Sequence, residues 1–108
     1  MGSRIIILYF EDIPIASLEE AGNQYLFRVN KANLKKAIMT GCPTSIAASK
    51  EGLWDDLPPV FKELEITPGR EDIYQLLGIE KGDSRFDKLY KKALKSEPFV
   101  KDSFWISV

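Results

Sequence analysis

Three runs of strand length, separated by two-residue turn signals, fill the first thirty residues and constrain the fold more than any other feature. Arg4 to Phe10 reads Ile-Ile-Ile-Leu-Tyr-Phe after its arginine, a β-branched and aromatic run. Glu11-Asp12 makes a tight turn, and Ile13 to Leu18 follows with Ile13 and Ile15 on one side. Pro14 cannot donate to a hydrogen-bond ladder, which points to an edge position for this second strand. Gly22-Asn23 is the next turn. Gln24 to Val29 then alternates, with Tyr25, Phe27 and Val29 pointing one way and Gln24 and Arg28 the other. Connections this short join antiparallel neighbours, since a parallel pair needs a crossover of a dozen or more residues. The expected beginning is an antiparallel meander.

The rest of the chain reads mainly as helix. Asn30 is an N-cap residue, and Leu34, Ala37 and Ile38 recur at helical spacing before Gly41 stops the helix. Thr44 to Ser49, small and partly β-branched, is expected to be a short strand, and Lys50 to Asp56 an exposed, charged loop. Pro58-Pro59 opens a short helix carrying Val60, Phe61 and Leu64. Thr67-Pro68 begins another, with Glu71 and Asp72 near its positive end, Ile73, Leu76 and Leu77 facing inward, and Gly78 closing it. From Ser84 to about Lys95, the residues Phe86, Leu89, Tyr90, Ala93 and Leu94 form one apolar stripe, leaving Lys88, Lys91, Lys92 and Lys95 on the solvated side. Ser103 to Val108 reads as a last strand completing the sheet, with Trp105 in the core. No repeat, low-complexity stretch or linker divides the sequence. Residues 1–108 are therefore expected to form a single α+β domain, a small antiparallel sheet packed with three to four helices.

Composition removes whole classes of function. Lys and Arg total 15 against 16 Asp and Glu, a net charge of −1. A broad nucleic-acid face needs a surplus of cations, so none is expected. Histidine is absent, which excludes Ser-His-Asp and Cys-His catalysis and every histidine-containing zinc site. None of the seven glycines falls in a G-x-G-x-x-G or Walker pattern. Asp55, Asp56, Glu63 and Glu65 lie close enough in sequence to act as an acid–base pair, but solvated surface charge accounts for them equally. Cys42 is the only cysteine, which rules out an intrachain disulfide and favours a reducing, cytoplasmic setting. With no base beside it, its thiol is expected to be inert. The run Ile5 to Phe10 is far short of the ~20 apolar residues of a membrane helix, and Glu11-Asp12 follows it at once, unlike a signal peptide. No catalytic residue, metal ligand or cofactor is expected.

One segment stands out: Gly52-Leu53-Trp54-Asp55-Asp56-Leu57-Pro58-Pro59. Tryptophan is enriched among the anchors that dominate interfaces. On a glycine-flanked loop stiffened by prolines, Trp54 can enter a partner's pocket while Asp55 and Asp56 meet a basic rim. It can equally fold back and cap its own core. Residue type alone does not choose.

The order meander, helix, serine-containing stretch Ser45 to Ser49 and then Leu57-Pro58-Pro59-Val60-Phe61-Lys62-Glu63-Leu64 resembles the N-terminal subdomain of HipA-family serine/threonine kinases. Tyr9 through Leu18 and Tyr25 through Asn30 carry the upstream likeness, and Pro68-Gly69-Arg70 continues it downstream. Glu65-Ile66-Thr67 departs from the family's Leu-Pro-Glu pattern, and no kinase core follows. In HipBST toxin–antitoxin systems such a subdomain is a separate chain that restrains the kinase. The resemblance implies two partners, a HipT-like kinase toxin and a HipB-like helix-turn-helix DNA-binding protein. It also implies a docking segment of Leu53, Trp54, Asp55, Asp56, Leu57, Pro58, Pro59 and Phe61 near the kinase's ATP cleft. Trp54 would be buried in the kinase, and Asp55 and Asp56 would face cations that handle phosphate. The alternative is a structural subunit that bridges kinase and DNA-binding partner without inhibiting.

Overall fold

The computed structural model describes residues 4–44, 46, 50–65, 72–95 and 104–108, with the backbone alone at 72 and 73. Alternation in the first strands becomes a two-faced sheet. In β1 (Ile5–Phe10), Ile6, Leu8 and Phe10 are fully buried while Ile5, Ile7 and Tyr9 face the other way. β2 (Ile13–Ala21) buries Ile15, Ala16 and Leu18, and β3 (Gln24–Val29) buries Phe27, with Tyr25 and Val29 packed beside it. The two turns are as short as expected, Gly22 taking the second with φ +66°.

With β4 (Gly52–Trp54) and β5 (Phe104–Ser107), the sheet has five antiparallel strands in the order β4-β3-β2-β1-β5. β2 is thus interior, and Pro14 does not mark an edge. The register explains how a proline is tolerated there. Leu8 lies opposite Ala16 but Tyr9 opposite Pro14, so Ile15 is the extra residue of a bulge, and Pro14 lies beyond the last β3 pair, Ala16 with Val29. β5 (Phe104–Ser107) pairs with β1, setting Phe104 against Phe10 and Ile106 against Leu8. Trp105 is consequently not a core residue. Its ring stacks on Tyr9 on the opposite face, centroids 4.2 Å apart, and its Nε1 donates to the Glu11 carbonyl.

Helices α1 (Lys31–Met39), α2 (Pro59–Glu63) and α4 (Arg85–Leu94) send Leu34 and Ala37, Val60 and Phe61, and Phe86, Leu89 and Ala93 into one cluster with the buried strand residues. Asn30 caps α1 by accepting from Asn33 N at 3.0 Å. Ser84 and Asp87 cap α4 reciprocally, backbone N–H to side-chain oxygen at 3.0 and 2.9 Å. Cys42 is buried in the same cluster, where desolvation pushes its thiol up, away from reactivity.

Several expectations fail for reasons visible in the packing. Thr44 and Ile46 sit in a tight helical turn rather than a strand, and Ile46 is buried; residues 45 and 47–49 lie outside the described residues. In α3 (Asp72–Leu77), Leu76 is 76% exposed rather than inward and Leu77 is half-buried, while the side chain of Ile73 lies outside the described residues. The proposed start of that helix at Thr67-Pro68 lies outside the described residues, as do Glu71 and Ser103. Leu94 ends the α4 stripe exposed.

The lysines of α4 are not a free solvated row. Lys91 Nζ contacts Asp83 at 2.6 Å and the Gly78 carbonyl at 2.8 Å, Lys92 Nζ donates to the Leu64 carbonyl at 2.6 Å, and Lys88 lies over the Tyr74 ring. Burial holds the Lys92 ammonium below its usual range. These side chains tie α4 to its flanking segments. Near the start of the chain, Arg4 forms a fork on Glu20 at 2.5 and 2.7 Å, reaches Asp87 at 2.5 Å, and lies over the rings of Phe86 and Tyr90.

Candidate functional site

The segment expected to be an exposed loop, Lys50 to Asp56, contains a strand. β4 (Gly52–Trp54) pairs with β3 through Gly52 with Phe27, Leu53 with Leu26 and Trp54 with Tyr25. Its three residues are too few for any periodicity to register, and glycine at the first position argues against a strand in sequence. Gly52 has φ +122°, a conformation that L side chains rarely adopt, and it turns the chain into register with β3.

The pairing decides where each side chain points. Phe27 and Tyr25 belong to the core face, so Trp54 points inward at the open edge of the sheet. Its ring meets Phe27 edge-on at 6.4 Å and its Nε1 donates to the Lys50 carbonyl at 2.7 Å, leaving the indole half-buried. Of the two positions open to it in sequence, Trp54 takes the one against its own core. Leu53 points to the opposite face beside Leu26 and is 59% exposed. A branched apolar side chain presented this way on a paired strand has little freedom to retreat, since the backbone hydrogen bonds fix it.

Below the edge, the prolyl segment is anchored rather than displayed. Leu57, Pro58 and Phe61 are buried, and Phe61 meets Phe27 edge-on at 6.0 Å. These three residues shape the segment from within and offer no surface to a partner, which corrects their expected place in the contact. Pro59 is exposed at the first position of α2, where a missing N–H costs nothing.

The two aspartates differ. Asp55 is exposed and accepts from Gln24 Nε2 at 2.9 Å. Asp56 is engaged within the chain: it accepts from Leu57 N at 2.8 Å and pairs with Arg85 at 2.8 Å and Lys62 at 3.1 Å. The Leu57 N–H, then Lys62 and Arg85, hold its carboxyl below the usual range. Arg85 also grips Glu65 with both arms of its guanidinium. Nothing in the sequence marks Arg85 as the centre of this cluster, because its partners lie 20 and 29 residues away. The clustered carboxylates singled out as an acid–base pair thus include two that serve as counter-ions of one arginine.

What reaches solvent at this edge is Leu53, the outer rim of Trp54, Pro59 and two carboxylates, Asp55 bonded to Gln24 and Asp56 paired with Arg85 and Lys62. Among the described residues no group of three or more His, Cys, Asp or Glu is arranged to hold a metal ion, and no helix is long and apolar enough to cross a membrane. No protein family, curated protein or solved structure matches the chain.

Proposed function

We propose that this chain acts as a docking antitoxin of the HipBST kind, similar to HipS, restraining a HipT-like serine/threonine kinase in the cytoplasm with a HipB-like DNA-binding protein in the complex. The reading starts from the likeness of residues 9–18, 25–30 and 57–64 to the HipA N-terminal subdomain. The observation that carries it is the mounting of Leu53: exposed, apolar, and fixed on an edge strand whose following residues are locked in the core. A rigid apolar projection suits capture by a pocket, because little side-chain and backbone freedom is lost on binding.

Such an inhibitor needs no chemistry. It must bind an inactive arrangement of the kinase more tightly than the active one, and the population then follows the difference in affinity. The contact is centred on Leu53, with the outer rim of Trp54 beside it and Asp55 positioned for a cation. Trp54 contributes chiefly by holding β4 in place, since its N–H and one edge of its ring are already occupied.

The test is phosphorylation by a purified HipT-like kinase, with and without this chain. Full inhibition by the wild type and at least a tenfold weaker inhibition by Leu53→Arg, with the same circular dichroism spectrum, is the expected result; about 2 kcal/mol at a central anchor corresponds to roughly thirtyfold. Undiminished kinase activity overturns the antitoxin reading. The inward indole favours a second reading, a non-inhibitory subunit bridging kinase and DNA-binding partner. That reading predicts co-purification with both proteins and no change in phosphorylation rate.

A further inference from the structure

α1 breaks two rules of helix electrostatics. Lys31, Lys35 and Lys36 are its only charged side chains, and no carboxylate accompanies them. Lys31 is also the first helical residue, at the end where exposed N–H groups already carry positive charge. Lys35 follows at i+4, so two like charges sit one above the other. Neither lysine makes an ion pair among the described residues. Local rules broken without internal compensation are expected where a surface serves something outside the fold.

These lysines border a groove of about 520 Å³. Val29, Leu34, Ile38 and Ile46 floor it, and Met39, 80% exposed, forms one wall. A flexible thioether at the rim of an apolar groove adapts readily to a partner's side chains. Among the described residues Glu51 is the single carboxylate at this groove; it accepts from Val29 N at 2.7 Å and pairs with neither lysine. The groove is therefore apolar in its floor and cationic along one rim.

We infer that this groove docks an acidic amphipathic helix of a partner protein, with leucine-type side chains on the floor and carboxylates along Lys31 and Lys35. Charge spacing favours a polypeptide over a fatty acid. Two cations four residues apart on a helix, about 6 Å along the axis, match carboxylates at i and i+4 of a second helix, whereas a fatty acid has a single carboxylate. The inference does not depend on the kinase reading.

The experiment titrates the isotope-labelled full chain, followed by amide NMR, with three 15-residue amphipathic peptides. They share one leucine face and carry Glu, Gln or Lys on the other; dodecanoate is the fourth ligand. The Glu peptide is expected to bind at least tenfold more tightly than the Gln peptide, to shift Val29, Leu34 and Ile38, and to weaken several-fold between 50 and 300 mM salt. In the Lys31→Glu/Lys35→Glu variant the order of Glu and Lys peptides reverses, while the melting temperature stays level or rises. A role confined to folding predicts the opposite on both counts. Equal affinity for the three peptides, an unreversed order in the variant, or shifts caused by dodecanoate alone overturns the inference.

Discussion

Arg4 is held on five sides: two oxygens of Glu20, one of Asp87, and the rings of Phe86 and Tyr90. It joins β2 to α4 across the end of the sheet. Charge-assisted bonds and the cation–π stack together make Arg4→Ala cost about 2 kcal/mol, and Arg4→Lys recovers only part of it, since an ammonium cannot reproduce the planar fork. Urea unfolding at neutral pH checks both values. The pair also sets an acid limit. Glu20 lies below its ordinary range chiefly because Arg4 donates to it, and Asp87 below its own because of the Ser84 N–H and then Arg4. A carboxyl depressed in the native state is protonated first in the unfolded chain as pH falls, so its contribution is complete above its ordinary range and disappears below it. The urea midpoint should be level between about pH 6 and 8, where a chain without histidine has no side chain of ordinary pKa titrating, and should fall below about pH 4.5. In Arg4→Ala that fall should be shallower.

Among the elements, β4 is the one on which the proposed contact depends, and it is three residues long. Its weak point is Gly52, where an added Cβ meets nothing within 4 Å but the backbone is left-handed. Gly52→Ala therefore acts through backbone strain alone, about 1–2 kcal/mol. The expected signature is local: faster amide exchange at Leu53 and Trp54, and a red shift of tryptophan emission as the Trp54 indole leaves Phe27, with the rest of the sheet still protected. Elements as brief as β4 also mark the limit of what a sequence displays. β3 is legible because Tyr25, Phe27 and Val29 recur at every second position with Gln24 and Arg28 on the other face, and α4 because Phe86, Leu89 and Ala93 repeat over about two turns. Phe104-Trp105-Ile106 is apolar throughout, so it announces a strand without saying which face is buried, and only the pairing with β1 puts Trp105 beside Tyr9, away from the core. Trp54 and Asp56 were legible as unusual but not as inward-turned, because their partners Phe27, Lys50 and Arg85 are brought to them only by the fold.

At the scale of the molecule, the buried residues form a single cluster drawing on β1, β2, β3, α1, α2, α4 and β5. Phe61 lies where it joins the prolyl segment to the meander, fully buried against Phe27. Phe61→Ala should cost about 3–5 kcal/mol, a large fraction of the stability available to a chain of this size. Loss of kinase inhibition in that variant would follow loss of the cooperative melting transition, whereas Leu53→Arg should lose inhibition and keep the transition. Measuring both by calorimetry separates residues that build the docking edge from residues that present it. The pairing of β5 with β1 has a further consequence, felt before the protein is finished. On the ribosome β1 is made early, and the strand that covers its flank is made more than ninety residues later, roughly 5–20 s at ordinary elongation rates. Through that interval the nascent meander has an unfilled side, and its completion must follow translation of residues 104–107 rather than accompany it.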